Sequence, residues 1–226
     1  MRNPPTAALP LEWISPEPDS PRGRILAAAR RLFAEQGLER TSIRDITEVA
    51  EVNSAMVHYY FGSKDQLYER VLGLEFVSVF RSIHAQITPN MSPAELLLSL
   101  PVRIMGVVRK NPVWARLLSR EIAMGGVHLS RVVGELKDAG PLGIKRIFEQ
   151  LYRDAVRAKE LNELPSDHVI QFLIVMGYSG VFYEPFFRIL SQGDPNEEGS
   201  FNERAKAFDA LIRSGLIPAK ANKPKR

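Results

Sequence analysis

The sequence predicts an all-α protein of about nine or ten helices. From residue 21 onward, apolar side chains recur at helical spacing, as Ile25, Ala29, Leu32 and Phe33 do in the first predicted segment. Helix-capping signals interrupt this periodicity repeatedly along the chain. No segment alternates apolar and polar residues over more than four positions, so the sequence lacks the pattern of a half-buried strand.

Capping signals define the first four helices. Ser20 precedes Pro21, whose fixed φ suits the first position of a helix, and Gly37 ends that helix. Two shorter helices follow it. Ser63 and Gln66 form a capping box that begins a long fourth helix. These signals predict helices at about 21–36, 42–50, 54–60 and 63–87.

Similar signals continue to the end of the chain. Ser92 and Glu95 form another capping box. Asn111–Pro112 begins the next helix, and Gly125–Gly126 ends it. Pro185 is expected to kink a strongly apolar helix near its end. The predicted helices are 92–109, 112–124, a run to about 159 that Gly140–Pro141 interrupts, 166–190 and 201–214.

The composition is that of a soluble globular protein. The 226 residues are 45% hydrophobic and carry 30 Lys and Arg against 26 Asp and Glu, a net charge of +4. No run approaches the roughly 20 apolar residues that span a bilayer, and the N-terminus lacks the apolar core of a secretory signal. The absence of cysteine excludes disulfides and thiolate chemistry. We therefore expect a cytoplasmic protein.

The net charge does not identify a nucleic-acid-binding half of the chain. The last nine residues hold four basic side chains and no acidic one, which equals the whole excess. Residues 1–75 hold 9 basic and 11 acidic side chains, a net charge of −2. A prediction of DNA binding must therefore rest on motifs.

The segment between residues 46 and 60 has the spacing of a helix-turn-helix. Two short helices that cross closely must bury a small set of positions, which here hold Ile46, Ala50, Val52, Val57 and Tyr60. Asn53 can cap the second helix. Small, polar and aromatic side chains on its outward face would suit the major groove of DNA. On spacing alone, a pair of connecting helices in a bundle remains the alternative.

A longer string of residues around this motif points to a known family. It runs through Ile25–Ala29, Leu32–Phe33, Gly37, Thr41–Ile46, Val52–Asn53, Tyr59–Phe61 and Ser63–Leu67. Residues 22–72 thereby resemble the DNA-binding domain of the tetracycline-repressor (TetR) family of transcriptional regulators. The resemblance implies a ligand-responsive regulator with this N-terminal domain and a helical effector-binding and dimerisation domain after it.

Composition and this resemblance divide the chain into four parts. They are a flexible proline-rich arm at 1–20, the helix-turn-helix DNA-binding domain at 21–68, the effector-binding and dimerisation domain at 69–217 and a basic tail at 218–226.

The resemblance also implies which residues contact DNA. They are Thr41, Ser42, Arg44, Asn53, Ser54, Ala55, Met56, His58, Tyr59 and Lys64. Thr41 or Ser42 would bind a phosphate, as would Lys64 at a helix N-terminus. The alternatives are a solvated Lys64, an ion pair between Arg44 and Glu48, and a His58 that packs against the first helix.

Two departures from the family pattern lie in the second helix and the turn. Glu51 stands where glycine is usual, and a non-glycine residue in a left-handed turn costs roughly 1–2 kcal/mol. Thr47 stands where alanine is usual. Ser54 and Ala55 replace positions that are often lysine and glycine, which favours an apolar base-reading surface with Met56 on thymine methyl groups. The operator sequence therefore cannot be taken from a relative.

One recognition helix contacts too few base pairs for tight binding, so sequence-specific DNA binding requires a homodimer on a near-palindromic operator. The predicted interface is a four-helix arrangement, across a two-fold axis, of the helix at 167–190 and the last helix. Its residues are Phe172, Val175, Met176, Gly177, Gly180, Phe208, Leu211 and Ile212.

An effector pocket is expected among the helices between residues 90 and 183. Polar or aromatic groups on these otherwise apolar helices are Arg103, Trp114, Arg116, Arg120, Tyr152, Tyr178 and Tyr183. The arginines favour an anionic or partly polar ligand. By the resemblance, such a ligand relieves repression.

An enzyme is not expected, and no catalytic residue, metal site or cofactor is predicted. The sequence contains no nucleophile elbow, phosphate loop or dinucleotide fingerprint, and its four histidines are far apart. The alternative function is a helical protein-interaction adaptor without sequence-specific DNA binding. DNA affinity that falls steeply with salt would distinguish the regulator from it.

Overall fold

A computed structural model describes residues 16–88, 90–136, 143–191, 194 and 197–219. These residues form eleven α-helices and no strand, which confirms the all-α prediction. Most of the predicted arm and tail lies outside the described residues. The helices are α1 (Pro21–Gln36), α2 (Ile43–Ala50), α3 (Ser54–Phe61), α4 (Lys64–His84), α5 (Pro93–Arg109), α6 (Pro112–Ala123), α7 (Val127–Leu136), α8 (Gly143–Arg157), α9 (Ser166–Phe182), α10 (Glu184–Ser191) and α11 (Glu198–Leu216).

The additional helix arises where one predicted helix divides in two. α9 ends at Phe182, and the N–H of Tyr183 still donates to the carbonyl of Ser179 at 3.0 Å. α10 begins at Glu184, one residue before Pro185. Because proline has no N–H to continue the ladder of hydrogen bonds, the kink expected from the sequence is a break between two helices.

The described residues fold into two compact units. Residues up to Arg81 and those from Asn111 to Gly143 form the first, and Ser82–Lys110 with the residues from Ile144 onward form the second. α6 and α7 therefore belong to the same unit as the helix-turn-helix. The functional boundaries at residues 68 and 217 stay a prediction.

A single apolar core joins the helices of the first unit. Ile25 and Phe33 of α1 are fully buried, and so are Leu117 of α6 and Leu136 of α7. The ring of Phe33 meets that of Tyr68 in α4 edge to face, with 5.1 Å between the centroids. The first helix consequently packs against α2 and α3 of the recognition motif and against α6.

In the second unit, α9 packs closely against α5. The close approach depends on Gly177, where a Cβ would lie 2.6 Å from the Cβ of Ile104 and 3.1 Å from the carbonyl oxygen of Pro101. Gly177 therefore faces α5 of its own protomer. The prediction that Gly177 admits a partner helix is wrong, because its small size is already needed within the chain.

We expect Gly177→Ala to lower the free energy of unfolding of the second unit by about 1–3 kcal/mol, since the added methyl overpacks the α5–α9 contact. Urea denaturation measures the effect. Gly106→Ala in α5 is the matched control, because its Cβ would meet the Phe201 ring at an ordinary 3.8 Å. That variant should be stabilised by about 0.5–1 kcal/mol, the usual gain of alanine over glycine inside a helix. Equal effects of the two substitutions would contradict the packing.

Candidate nucleic-acid interface

The turn between α2 and α3 contains a left-handed residue. Glu51 has φ 51° and ψ 49°, so the expectation of a strained non-glycine residue there is confirmed. The N–H of Val52 donates to the carbonyl of Thr47 at 3.1 Å and closes the turn. The buried contacts on either side of the turn offset the conformational cost of roughly 1–2 kcal/mol at Glu51.

Side-chain caps begin both helices of the motif. The Ser42 hydroxyl accepts from the N–H of Asp45 at 3.1 Å, and the Asp45 carboxylate accepts from the N–H of Ser42 at 2.9 Å. The hydrogen bond from the Ser42 backbone holds the pKa of Asp45 below its usual value. The Asn53 side chain accepts from the N–H of Ala55 at 2.9 Å. The predicted capping role of Asn53 is thus confirmed.

α3 has one buried and one exposed face. Val57 and Phe61, one helical turn apart, are buried against α1 and α2. Tyr60 is 37% exposed and lies edge-on to Tyr59, so the prediction that Tyr60 fills the crossing of the two helices is wrong. Phe61, four positions after Val57, is buried in the core instead. The exposed face carries Ser54, Ala55, Met56, His58 and Tyr59, the residues predicted to read DNA.

Thr41 does not lie on this surface. It is fully buried, and its hydroxyl donates to the carbonyl of Gly37 at 2.8 Å. The alternative phosphate ligand, Ser42, is exposed. The structure therefore corrects the prediction for Thr41, whose hydroxyl closes the loop between α1 and α2.

The cationic and histidine side chains have defined surroundings. The Lys64 ammonium donates to the carbonyl of Leu38 at 2.9 Å, so Lys64 is not a freely solvated lysine. Its two other hydrogens can still meet a phosphate. Arg44 is exposed, and within the described ranges it forms no ion pair with Glu48. His58 is exposed, with Nδ1 2.9 Å from the carbonyl oxygen of Gly62, so the histidine does not pack against α1.

The predicted effector residues are divided between the two compact units. Trp114, Arg116 and Arg120 lie in the first, and Arg103, Tyr152, Tyr178 and Tyr183 lie in the second. The Tyr152 hydroxyl donates to the carbonyl of Asn162 at 2.7 Å and accepts from the N–H of Leu164 at 3.0 Å. Arg103 donates to the Ser99 hydroxyl and to the carbonyl of Gln86. Tyr152 and Arg103 therefore fix neighbouring backbone and side chains of the second unit.

Trp114, one of the predicted effector residues, has a buried hydrogen-bond donor without an acceptor in the described part of the chain. Its side chain is buried, its ring lies 5.8 Å from that of Phe76, and its indole N–H has no hydrogen-bond partner in the described part of the chain. A buried donor without an acceptor costs about 1–3 kcal/mol. An acceptor from a bound molecule would remove that cost.

The predicted dimer residues differ in their exposure. Phe172, Val175 and Leu211 are each more than half exposed, whereas Ile212 is buried. A Cβ on Gly180 would lie 3.3 Å from the guanidinium of Arg204. Gly180 and Ile212 thus pack within their own protomer, which corrects their assignment to an interface. Met176 and Phe208 are half-buried.

α10 has an exposed apolar face that the sequence interpretation did not separate from the helix before it. Phe186, Ile189 and Leu190 are each more than half exposed. Their i, i+3, i+4 spacing places them on one face of α10. The break before Pro185 separates it from α9.

The described residues offer neither a membrane-spanning helix nor a cluster of metal ligands. None of their helices is long and apolar enough to cross a membrane. Nor does that part of the chain contain a group of three or more His, Cys, Asp or Glu side chains placed to hold a metal ion.

Known proteins share both the motif and the fold. Residues 25–71 match the model of the bacterial regulatory proteins of the tetR family. A protein described as "Probable HTH-type transcriptional regulator YttP", from Bacillus subtilis, is 27% identical over 74% of this chain and 86% of its own length. The HTH-type transcriptional repressor Rv3405c of Mycobacterium tuberculosis is 29% identical over 73% of each chain. Both relatives are described as regulators of transcription.

A solved structure extends the similarity to the whole fold. The transcriptional regulator FadR from Bacillus subtilis, in complex with stearoyl-CoA, has a TM-score of 0.65, with 16% identity over 85% of this chain and 97% of its own. At this identity the similarity concerns the fold. The match at residues 25–71 and the capped and exposed α3 make this part of the chain similar to the DNA-binding domain of the tetR family of transcriptional regulators.

Proposed function

We propose that the chain is a homodimeric repressor that binds a palindromic operator and is released from it by a small-molecule effector. The observation that carries the proposal is the exposed face of α3, held by a buried Val57 and Phe61 and presenting Tyr59 at 82% exposure. The repressor Rv3405c, similar along most of its length, supports repression as the output.

Different parts of the motif supply affinity and sequence preference. α3 contains neither lysine nor arginine, so its base contacts are apolar or made by hydroxyl groups and the imidazole of His58, with Met56 suited to thymine methyl groups. Phosphates are held by Ser42 and Arg44 of α2 and by Lys64 at the start of α4. The neutral recognition face makes the operator preference depend on shape and methyl contacts.

Dimerisation rests on the apolar surface of the second unit. Phe172 and Val175 of α9 lie one turn apart, and Leu211 of α11 and the face of α10 add further exposed apolar area. Surfaces of this kind mark protein–protein contacts. A second copy of the chain would cover them and set two α3 helices one duplex turn apart, about 34 Å.

Effector binding would act by shifting a population between two states of the dimer. A ligand that prefers a differently packed arrangement of helices moves α4 and changes the separation of the two recognition helices. Because the indole N–H of Trp114 has no acceptor, it would donate a hydrogen bond to a polar atom of that ligand. FadR supports the ability of this fold to hold a small molecule, but the identity of its ligand does not carry over.

Selection of sites from a random duplex library with the purified protein tests the proposal. We expect enrichment of a palindrome with half-sites one helical turn apart. The protein is first unfolded and refolded to remove any bound ligand. A refolded dimer that enriches no sequence at low salt would contradict the proposal and favour the protein-interaction adaptor.

Arg44→Ala should weaken binding to all duplexes alike and reduce the salt slope of log affinity by about one unit, because it removes a phosphate contact. Tyr59→Ala is the comparison, since loss of a base-facing side chain should weaken operator binding more than binding to random DNA. Fluorescence anisotropy over a salt series measures both. A sequence-selective loss in Arg44→Ala would show that Arg44 reads a base.

Phe172→Glu should convert the dimer to a monomer, because it would bury unpaired carboxylates in an apolar interface. Sedimentation velocity measures the mass. Ile122→Glu, at an exposed apolar residue near the end of α6, is the matched control and should stay dimeric. A dimeric Phe172→Glu variant with an unchanged dissociation constant would place the interface elsewhere.

A further inference from the structure

Arg120, an effector residue in the sequence prediction, instead reaches the C-terminal end of α1. Its Nη2 donates to the carbonyl of Glu35 at 3.0 Å. Its Nη1 lies 2.9 Å from the place where a Cβ on Gly37 would stand, and the φ of 86° at Gly37 favours glycine there. The last turn of α1 has no basic residue of its own. A guanidinium from α6 therefore neutralises the negative end of that helix.

The loop that follows α1 is tied down by two more side chains. The carbonyl of Gly37 accepts from the Thr41 hydroxyl at 2.8 Å, and that of Leu38 accepts from the Lys64 ammonium at 2.9 Å. With Arg120, donors from α6, from the loop itself and from α4 converge on one short stretch of backbone. This stretch leads directly into Ser42 and α2, so its position determines where the phosphate-binding side chains lie.

The end of α6 that carries Arg120 is itself anchored. The neighbouring Glu121 is 1% exposed and accepts from the N–H of Leu129 at 3.0 Å. The hydroxyl of Tyr68 in α4 also donates to this carboxylate, and burial followed by the Glu121 charge raises the pKa of Tyr68. The end of α6 is thereby bound to α4 and to the start of α7 by buried hydrogen bonds.

A second set of bonds, one residue further along α4, strengthens this anchor. The Glu69 carboxylate accepts from Nδ1 of His128 at 2.8 Å and from Arg131 at 2.9 Å. Burial raises the pKa of Glu69, but these two hydrogen bonds outweigh it and hold the pKa below its usual value. α4, α6 and α7 therefore move as one body at this end, and Arg120 joins that body to the loop before α2.

We propose that Arg120 is a positioning residue of the DNA-binding surface. It holds the loop between α1 and α2 through the carbonyl of Glu35, and it passes any displacement of α6 to Ser42 and Arg44. An open cavity of about 710 Å³ borders this loop and is lined by Arg120, Tyr68 and Met124, so the guanidinium has room to leave the carbonyl. The expected effect of Arg120 on DNA affinity rests on the proposed function, whereas its effect on the position of the loop between α1 and α2 does not.

Arg120→Met removes the donors and keeps the apolar stem, and Arg120→Lys restores one donor. Arg31→Met, at an exposed arginine of α1, is the matched control. Hydrogen–deuterium exchange of the dimer without DNA is the first measurement. We expect exchange of the amides of residues 37–46 to rise several-fold in Arg120→Met, to return close to the parent rate in Arg120→Lys and to stay unchanged in Arg31→Met. Exchange in α9 should not change.

Affinity for the selected operator is the second measurement. Arg120→Met should bind about tenfold more weakly with an unchanged salt slope, because no phosphate contact is lost. Arg120→Lys should recover most of this loss. Unchanged exchange and affinity in Arg120→Met, or a salt slope reduced by one unit, would overturn the inference. If exchange rises in Arg120→Met but the unsubstituted protein enriches no operator, the contact between Arg120 and the loop is supported. That result would count against the proposed function alone.

Discussion

The apolar core shared by α1, α4, α6 and α7 is the constraint on which the first unit depends. Phe33, Tyr68, Leu117 and Leu136 are buried in it, and side chains of this size stabilise a fold by about 1.5–3 kcal/mol each when removed from water. The two short helices α2 and α3 are only eight residues long and could not be stable alone. They keep their places because Ile46 and Val57 enter the same core.

Polar groups around this core are used mainly to fix backbone. Thr41, Lys64 and Arg120 each donate to a carbonyl near the end of α1, and the buried Glu121 accepts a backbone N–H. A buried carbonyl or carboxylate without a partner is costly, so these side chains satisfy the segments where helical hydrogen bonding ends. The DNA-facing residues are thus supported by groups that themselves need not touch DNA.

The second unit uses small residues differently from the way their spacing suggests. Gly177 and Gly180 permit close contacts with Ile104 and Arg204 of the same chain, while larger apolar residues on α9, α10 and α11 remain exposed. A glycine in the sequence indicates that another group approaches the backbone closely. It does not indicate whether that group belongs to the same chain or to a partner. The exposed apolar residues, which cost free energy in water, are the better indicators of a partner.

The amino-acid sequence determined the helical fold, most helix ends to within about three residues and the helix-turn-helix, because caps and periodicity act over a few neighbouring residues. It also identified Glu51 as left-handed and Asn53 as a cap. Tertiary structure alone decided that Thr41 is buried, that Phe61 rather than Tyr60 is buried in the core, and that Arg120 binds the end of α1. These outcomes depend on which helices meet in space, and contacts between residues as distant as Glu35 and Arg120 leave no local pattern.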